Sequence, residues 1–233
     1  MAIKLTEKQK EIKRIVYELT RAIAQHKLRP GTRLIESQLV ESLSANRNHV
    51  QSALQRLALQ NIVTIAPNFG AVVSTPSRRD AREIFIARQA IEPAIVALIT
   101  PEKIVAWSAE ILEQQRNERA VIERHDMHDI VYELDKFHLL LARIAGNSVL
   151  ENILANLLAR SALVMMLYRQ SEVIFSHYDE HKEIVDALLK DDIERAQKLM
   201  RKHLIELQTY LDISAPLAAS ASNDENDSLE MNG

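Results

Sequence analysis

Residues 30–73 read PGTRLIESQLVESLSANRNHVQSALQRLALQNIVTIAPNFGAVV, and the pattern in this segment predicts how the N-terminal part of the chain folds. The pair Pro30-Gly31 is a strong turn signal. Apolar residues then recur at helical spacing in two segments, roughly 36–43 and 47–61. Two helices separated by only about four residues predict a helix-turn-helix.

The residues on either side of this pair of helices complete a larger unit. Ile62–Ile65 and Ala71–Val73 are β-rich and flank Pro67-Asn68-Phe69-Gly70, which predicts a β-hairpin. Upstream, Thr6 can cap a helix in which apolar residues recur at helical spacing from Ile12 to Ile23. Three helices followed by a hairpin is the order of a winged helix.

The rest of the chain shows only helical periodicity. The predicted helices are roughly 80–99, 101–122, 127–145, 148–170, 174–190 and 192–211. The predicted fold is therefore mainly α, with an N-terminal winged helix-turn-helix that includes a small β-hairpin and a C-terminal all-α antiparallel helical bundle. The predicted boundaries are a winged helix at 1–76, a linker at 77–79, the bundle at 80–212 and a disordered tail at 213–233.

The charge is unevenly distributed along the chain. The whole chain has a net charge of −3, but residues 1–79 carry 13 Lys/Arg and 5 Asp/Glu, a net charge of +8. The remainder carries 16 Lys/Arg and 27 Asp/Glu, a net charge of −11. A basic N-terminal third fused to an acidic remainder indicates a module that binds a polyanion, joined to a separate functional domain; chance clustering is the alternative.

Composition limits the classes of protein that remain. The absence of cysteine excludes disulfides, thiol catalysis and thiolate metal sites, and it fits a reducing cytoplasm. The N-terminus is too polar for a signal peptide, and we expect no apolar run near the length of about 18 residues that spans a membrane. We therefore expect a cytoplasmic protein without a membrane partner.

Residues 30–65 resemble the GntR family of bacterial regulators, and the wing that follows completes the match. The resemblance rests on the segment Pro30–Glu36, on Leu39 and Leu43, on Ala53–Leu57, and on Asn61–Val63 with the Pro67–Gly70 wing. It implies a DNA-binding transcriptional regulator; a winged helix used only for protein contacts is the alternative. The family usually has Ser-Arg-Thr-Pro-Val-Arg where this chain has Asn46–Gln51, so Gln51 replaces an arginine and we expect a different operator preference.

The second helix of such a motif enters the major groove with its N-terminal residues nearest the base edges. Arginine suits guanine or phosphate, and Asn and Gln suit adenine. Other polar side chains near this helix can bind phosphates and fix the register. The predicted DNA-binding residues are Arg33, Ser37, Asn46, Arg47, Asn48, Gln51 and the wing residue Asn68.

The C-terminal helices resemble the FCD domain of the FadR subfamily. The supporting segments are Arg88–Glu92, Asp135–His138 with Gly146-Asn147, Glu180–Ile184 and Met200–Leu204. In many members of this subfamily a carboxylate and three histidines bind a divalent metal inside the bundle, and an effector lies beside it. The resemblance implies the same here, with a small carboxylate as the effector.

Spacing supports the histidines independently of this resemblance. If helices 174–190 and 192–211 form a hairpin that turns at Asp191-Asp192, then His181 and His203 both lie about 15 Å from the turn and face each other. His138 lies on the apolar side of its helix, with Asp135 as the nearest carboxylate one turn earlier. Three imidazoles and a carboxylate suit Zn, Ni, Mn or Fe; buried structural histidines are the alternative.

Two features complicate the predicted site. The family usually places the carboxylate four residues before the histidine, a position that Leu134 occupies here, so Asp135 would bind at a different angle. Arg88 is a candidate for binding the effector carboxylate, but an i,i+4 salt bridge with Glu92 accounts for it equally well.

The function predicted from these features is a cytoplasmic repressor that binds a palindromic operator as a homodimer. A metal-dependent hydrolase with an appended winged helix is the alternative, because a histidine-bound metal can activate water. A purely structural helical adaptor is the third class. Against the enzyme, we find no phosphate-binding loop, nucleophile motif or HExxH pattern, and the basic winged helix would have no role.

Overall fold

Thr6 begins the first helix as the sequence predicts. Its hydroxyl accepts a hydrogen bond from the backbone of Gln9, and the side chain of Gln9 accepts one from the backbone of Thr6. This reciprocal pair satisfies two backbone donors that a helix start would otherwise leave exposed. The computed structural model describes residues 6–66, 70–124, 127–169, 177–211 and 213 of the chain.

The order of elements in the described residues confirms the predicted fold class. A helix-turn-helix and a small sheet come first, and helices alone follow. In chain order the elements are α1 (Glu7–Ala24), β1 (Arg33–Leu34), α2 (Glu36–Ser42), α3 (Arg47–Leu59), β2 (Val63–Ala66), β3 (Gly70–Val73), α4 (Arg78–Val96), α5 (Pro101–Ala106), α6 (Ser108–Glu123), α7 (Met127–Ala145), α8 (Ser148–Tyr168), α9 (His177–Leu189) and α10 (Ile193–Thr209).

The wing is a three-stranded antiparallel sheet in the order β1-β3-β2. Strands β2 and β3 form the predicted hairpin, with Val63 opposite Val73. Strand β1 was not predicted, and it pairs Arg33 with Val72. Two residues are too few to show strand periodicity, so only the fold reveals this strand. The turn before β1 has Gly31 at φ 81°, a conformation that glycine adopts without strain.

The joints between the later helices follow local sequence signals. Gly146, at φ 76°, ends α7, and the Asn147 side chain accepts hydrogen bonds from the first turn of α8. Asp191, at φ 58°, and the capping residue Asp192 separate α9 from α10. Both joints were predicted, because Gly, Asn and Asp tolerate turn conformations and cap helices.

Three details differ from the sequence-based predictions. The single helix predicted at 101–122 is broken at Trp107 into α5 and α6. The predicted linker at 77–79 forms the start of α4, because Ser77 and Asp80 make a capping box. Ile213, placed in the predicted tail, is buried, and Arg82 donates a hydrogen bond to its carbonyl; residues 214–233 lie outside the described residues.

Helix α8 connects the winged helix to the bundle. Ala159 and Leu163 of α8 belong to the same buried cluster as the core of α1, α3 and the wing. By length and composition alone, α8 is apolar enough to cross a membrane, although it contains the charged residues Glu151 and Arg160. Half of its most apolar stretch is buried inside the protein, as in a core helix, so this is weak evidence for a membrane span.

Candidate nucleic-acid interface and metal centre

The start of the recognition helix α3 is open to solvent. Asn46 is its N-cap, and the side-chain oxygen of Asn46 accepts a hydrogen bond of 2.8 Å from the backbone of Asn48. The next side chain, Arg47, is 75% exposed. Val50 and Leu54 on the opposite face are buried and fix the helix against the domain core. The polar N-terminal end is therefore held outward by the packing of the same helix.

An open groove of about 570 Å³ runs between α2, α3 and the sheet. Four of the predicted DNA-binding residues line it, namely Arg33, Ser37, Arg47 and Gln51. Asn46 and Asn48 lie at the adjacent helix start but do not line the groove. Asn68 lies outside the described residues.

Glu36 is a part of this face that sequence reasoning missed. One of its carboxylate oxygens accepts a hydrogen bond of 2.9 Å from Gln51 Nε2 and lies 3.3 Å from Arg47 Nε. The carboxylate thus holds together two of the predicted base-reading side chains. A DNA phosphate or base acceptor would have to compete with Glu36 for Arg47.

Three buried histidines from three helices converge inside the bundle. His138 lies on α7, His181 on α9 and His203 on α10, and one ligand atom from each lies within 4.8 Å of the others. The ring centroids of His181 and His203 are 4.8 Å apart, as the predicted hairpin requires. Phe137 stacks on His181 at 4.0 Å and fixes its ring plane.

Each imidazole has a carboxylate at its Nδ1 atom. His138 Nδ1 lies 2.5 Å from Glu92, His181 Nδ1 lies 3.1 Å from Glu118, and His203 Nδ1 lies 2.5 Å from Glu180. Such carboxylates orient metal-binding histidines and leave Nε2 as the nitrogen for the metal. The donor set therefore fits a divalent transition metal, since neutral imidazoles suit Zn, Ni, Mn and Fe. Sequence reasoning named none of these carboxylates as partners of the histidines.

The carboxyl groups around the cluster have strongly perturbed pKa values. Burial alone would raise the pKa of Glu92, but the charges and hydrogen bonds of Arg88 and His138 outweigh it and lower the pKa to about 2. Burial raises the pKa of Glu118 to about 8, against a hydrogen bond from Gln114 and the charge of His138. Glu92 is thus ionised at neutral pH, whereas Glu118 is largely protonated without a metal.

A small cavity of about 30 Å³ adjoins the three histidines, and Arg88 and Asp135 also line it. Asp135 is half-buried, and burial raises its pKa to about 6. Among the described residues, the group of convergent ligand atoms comprises only the three histidines. The role of Asp135 as a fourth ligand stays a prediction.

Arg88 forms a salt bridge with Glu92, which is one of the two roles that the sequence suggested for it. Its Nε lies 2.6 Å from Glu92, both side chains are buried, and its Nη1 donates to Ser161. The other terminal nitrogen, Nη2, has no hydrogen-bond partner among the described residues. Arg88 can therefore hold Glu92 and still offer a donor to an anion in the cavity.

Family comparisons match both parts of the chain. The description "Bacterial regulatory proteins, gntR family" matches residues 11–73, and "FCD domain" matches residues 83–206. The HTH-type transcriptional repressor RspR of Escherichia coli is 27% identical over 196 residues, which are 81% of this chain and 83% of that protein. The E. coli repressor GlaR is 24% identical over 78% of this chain and 87% of its own.

Solved structures share the fold. A GntR transcriptional regulator from Rhodococcus sp. RHA1 superposes with a TM-score of 0.74 at 23% identity, covering 85% of this chain and 95% of that one. E. coli McbR/YncC has a TM-score of 0.75 at 22% identity, with the same coverage. Other proteins of known structure therefore share the fold in which the three histidines lie.

Proposed function

Because the chain belongs to the GntR family of bacterial transcriptional regulators and carries an FCD domain, we propose that it is a metal-containing repressor controlled by a small carboxylate. DNA is the partner of the winged helix, and the FCD domain takes a small-molecule effector. Relatives named as transcriptional regulators, and not enzymes, match along most of the chain. The hydrolase alternative therefore has no support. A regulator of bacterial DNA would act in the cytoplasm.

The exposed start of α3 carries the proposal for DNA recognition. Arg47 is 75% exposed at the end of the helix that faces the open groove, and Arg33 lies on the neighbouring strand. The basic charge of residues 1–79 provides the attraction for phosphates. We assign Arg47 and Gln51 to base contacts, and Arg33 and Ser37 to phosphates. Asn46 has a structural task in addition, because its side chain caps α3.

The histidine cluster supports the proposed metal, and its cavity limits the proposed effector. A cavity needs an accessible volume of about 10–15 Å³ to hold one water, and the cavity beside the histidines has about 30 Å³. The site as described therefore has room for an ion or about two waters, and a carboxylate metabolite requires it to expand. Nη2 of Arg88 is the donor that we assign to the effector carboxylate.

This need for expansion supplies a mechanism. An effector that binds only an expanded bundle shifts the population toward that packing. Helix α8 would carry the change, because Met165 lines the metal cavity while the adjacent Met166 packs against the winged-helix core. Such a movement would change the spacing of the recognition helices in a homodimer and hence the affinity for a palindromic operator.

The first experiment identifies the operator. Genomic fragments that the purified full-length protein retains at physiological salt should share a palindromic sequence, and footprinting should protect two half-sites about one DNA turn apart. Transcription from that promoter in vitro should fall when the protein is added. If no fragment is enriched over random DNA, or if transcription rises, the proposal of a specific repressor is wrong.

A further inference from the structure

A second cavity, open to solvent on one side, lies between the winged helix and the bundle, next to the one that adjoins the histidines. It has a volume of about 240 Å³ and lies between α1, α7 and α8. The lining residues on each helix are three or four positions apart, so each helix presents one face to it. The cavity is about eight times larger than the one beside the metal cluster.

The lining of this interdomain cavity combines an apolar floor with charged walls. Alanine and leucine side chains of α7 and α8 form the floor, and Tyr17 and Tyr132 add aromatic rings. Small alanines leave room for a ligand body that larger side chains would fill. The volume is slightly below the range of about 300–1,000 Å³ for drug-sized ligands, so it suits a molecule of roughly ten to thirteen non-hydrogen atoms.

The charges that line the cavity favour an anion. Arg21, Lys136 and Arg143 contribute three cations, and Asp135 is the one carboxylate among the lining residues. Lys136 is paired with Glu133 at 2.9 Å, and Arg143 lies 3.7 Å from Glu151. Arg21 is exposed and makes no ion pair or side-chain hydrogen bond with any described residue. Arg21 can therefore bind a carboxylate without giving up a partner.

We propose that this interdomain cavity binds a small organic carboxylate with an aromatic or branched apolar body. The ligand contacts α1 of the DNA-binding domain and α7 and α8 of the FCD domain at once. Its binding stabilises the arrangement of the two domains in which the cavity exists. The site differs from the cavity beside the histidines, although Asp135 lines both, and it gives the regulator a second input that acts directly on the position of the winged helix.

Naphthalene-2-carboxylate, which has thirteen non-hydrogen atoms, is a suitable probe for the full-length protein. We expect saturable binding of one molecule per chain, measured by the fluorescence of the probe, and weaker binding of the uncharged carboxamide. Arg21→Gln should weaken binding of the carboxylate by about five- to tenfold, because a hydrogen bond to a charged group is lost. Ala155→Phe should abolish binding, because the phenyl ring would occupy the cavity. Ala155 is exposed, so the larger side chain does not have to be packed into the core.

Two control variants distinguish binding in this cavity from non-specific attraction to the basic surface and from binding at the metal cluster. Lys13→Gln removes an exposed cation from the same helix outside the cavity and should leave binding unchanged. His181→Ala removes a proposed metal ligand and should also leave binding of the probe unchanged. Circular dichroism verifies that each variant is folded. No saturable binding, equal affinity for the carboxamide, or wild-type affinity in Arg21→Gln would overturn the proposal.

Discussion

At the scale of one residue, the buried carboxyl of Glu118 links the stability of the protein to pH. Burial raises its pKa to about 8, whereas its ordinary value is 4.5. At a pH between these two pKa values, Glu118 keeps its proton in the folded chain and releases it in the unfolded chain. The free energy of unfolding of the metal-free protein therefore falls as pH rises from about 5 to about 8.

Replacing Glu118 by glutamine should remove this dependence. The amide resembles the protonated carboxyl in shape and carries no charge at any pH, so the variant should gain stability relative to the wild type as pH rises toward 8. One pKa unit corresponds to about 1.4 kcal/mol, so the difference should exceed 1 kcal/mol at pH 8. Urea unfolding with a chelator at pH 5 and pH 8 measures it. Glu113→Gln, at an exposed position of the same helix, is the control; identical behaviour of both variants would contradict this role of Glu118.

Arg47 is the residue on which specific DNA binding should depend most. Arg47→Ala should cost about 1–3 kcal/mol per subunit in operator affinity, because a bidentate contact to a base is lost. Its exposed position predicts no loss of folding. Fluorescence anisotropy with operator and scrambled duplexes at one salt concentration measures both affinity and specificity. Arg56 is exposed in the last turn of α3, so Arg56→Ala is the control and should retain specificity. If Arg47→Ala binds the operator as tightly as the wild type, the start of α3 is not the part of the protein that reads the bases.

The proximity of His181 and His203 could be predicted from the sequence, whereas the carboxylates beside them could not. His181 and His203 could be placed together because a turn signal at Asp191-Asp192 fixes the hairpin between them. Glu118 lies 63 residues from His181 in the sequence, and no local pattern relates the two. The sequence predicted Glu92 only as a salt-bridge partner of Arg88 and gave no sign of its contact with His138. Carboxylates that meet a histidine across helices depend on the packing of the bundle, which periodicity does not specify.

At the scale of elements, helices were predictable where caps and turns mark their ends. The signals at Thr6, Gly146 and Asp192 correspond to a helix start, a helix end and a helix cap. The break at Trp107 was not predicted, because Trp107 is neither glycine nor proline and the apolar spacing continues across it. Strand β1 was missed since two residues carry no period. The strand forms only because β1 pairs with β3, which lies about 40 residues further along the chain.

A metal at the histidine cluster would join three helices, and this makes the metal a stabilising element. The full-length protein should bind one Zn, Ni, Mn or Fe ion per chain through His138 on α7, His181 on α9 and His203 on α10. His181→Ala or His203→Ala should remove most of the affinity, and Asp135→Asn should do less harm. Added metal should raise the melting temperature in a concentration-dependent way, because it binds only the folded bundle.

Elemental analysis of protein purified without a chelator or a histidine tag, followed by melting with and without metal, tests this prediction. His49→Ala, outside the cluster, is the matched control and should bind metal as the wild type does. Affinity should also fall toward pH 6, because the imidazoles must be neutral to bind. If no ion is bound and none of the four metals shifts the melting temperature, the three histidines are structural.

At the scale of the whole molecule, we expect the chain to form a homodimer. A palindromic operator requires two recognition helices, which a symmetric dimer provides. Several large apolar side chains of the bundle are exposed in the single chain and are candidates for such a contact, namely Ile86, Leu98, Val105, Leu112, Val149 and Ile153. Sedimentation at micromolar concentration should give twice the chain mass of 26.5 kDa. A single species at the mass of one chain would contradict the dimer and the half-site spacing that follows from it.

Helix α8 connects the metal cavity to the DNA-binding domain, so we expect metal binding and operator binding to affect each other. Met165 of this helix lines the metal cavity, and Leu163 and Met166 belong to or pack against the core of the winged helix. An ion that fixes the cavity should therefore change the affinity for the operator, typically by about 5- to 150-fold for coupled sites. Thermodynamic linkage requires the operator to change the affinity for the metal by the same factor. Titrations of operator with and without saturating metal, and of metal with and without operator, measure the two factors independently.

His181→Ala should make operator binding insensitive to metal while leaving Arg47 and the groove intact. Equal operator affinities in the presence and absence of bound metal would show that the metal only stabilises the bundle and that α8 transmits nothing from it to the DNA.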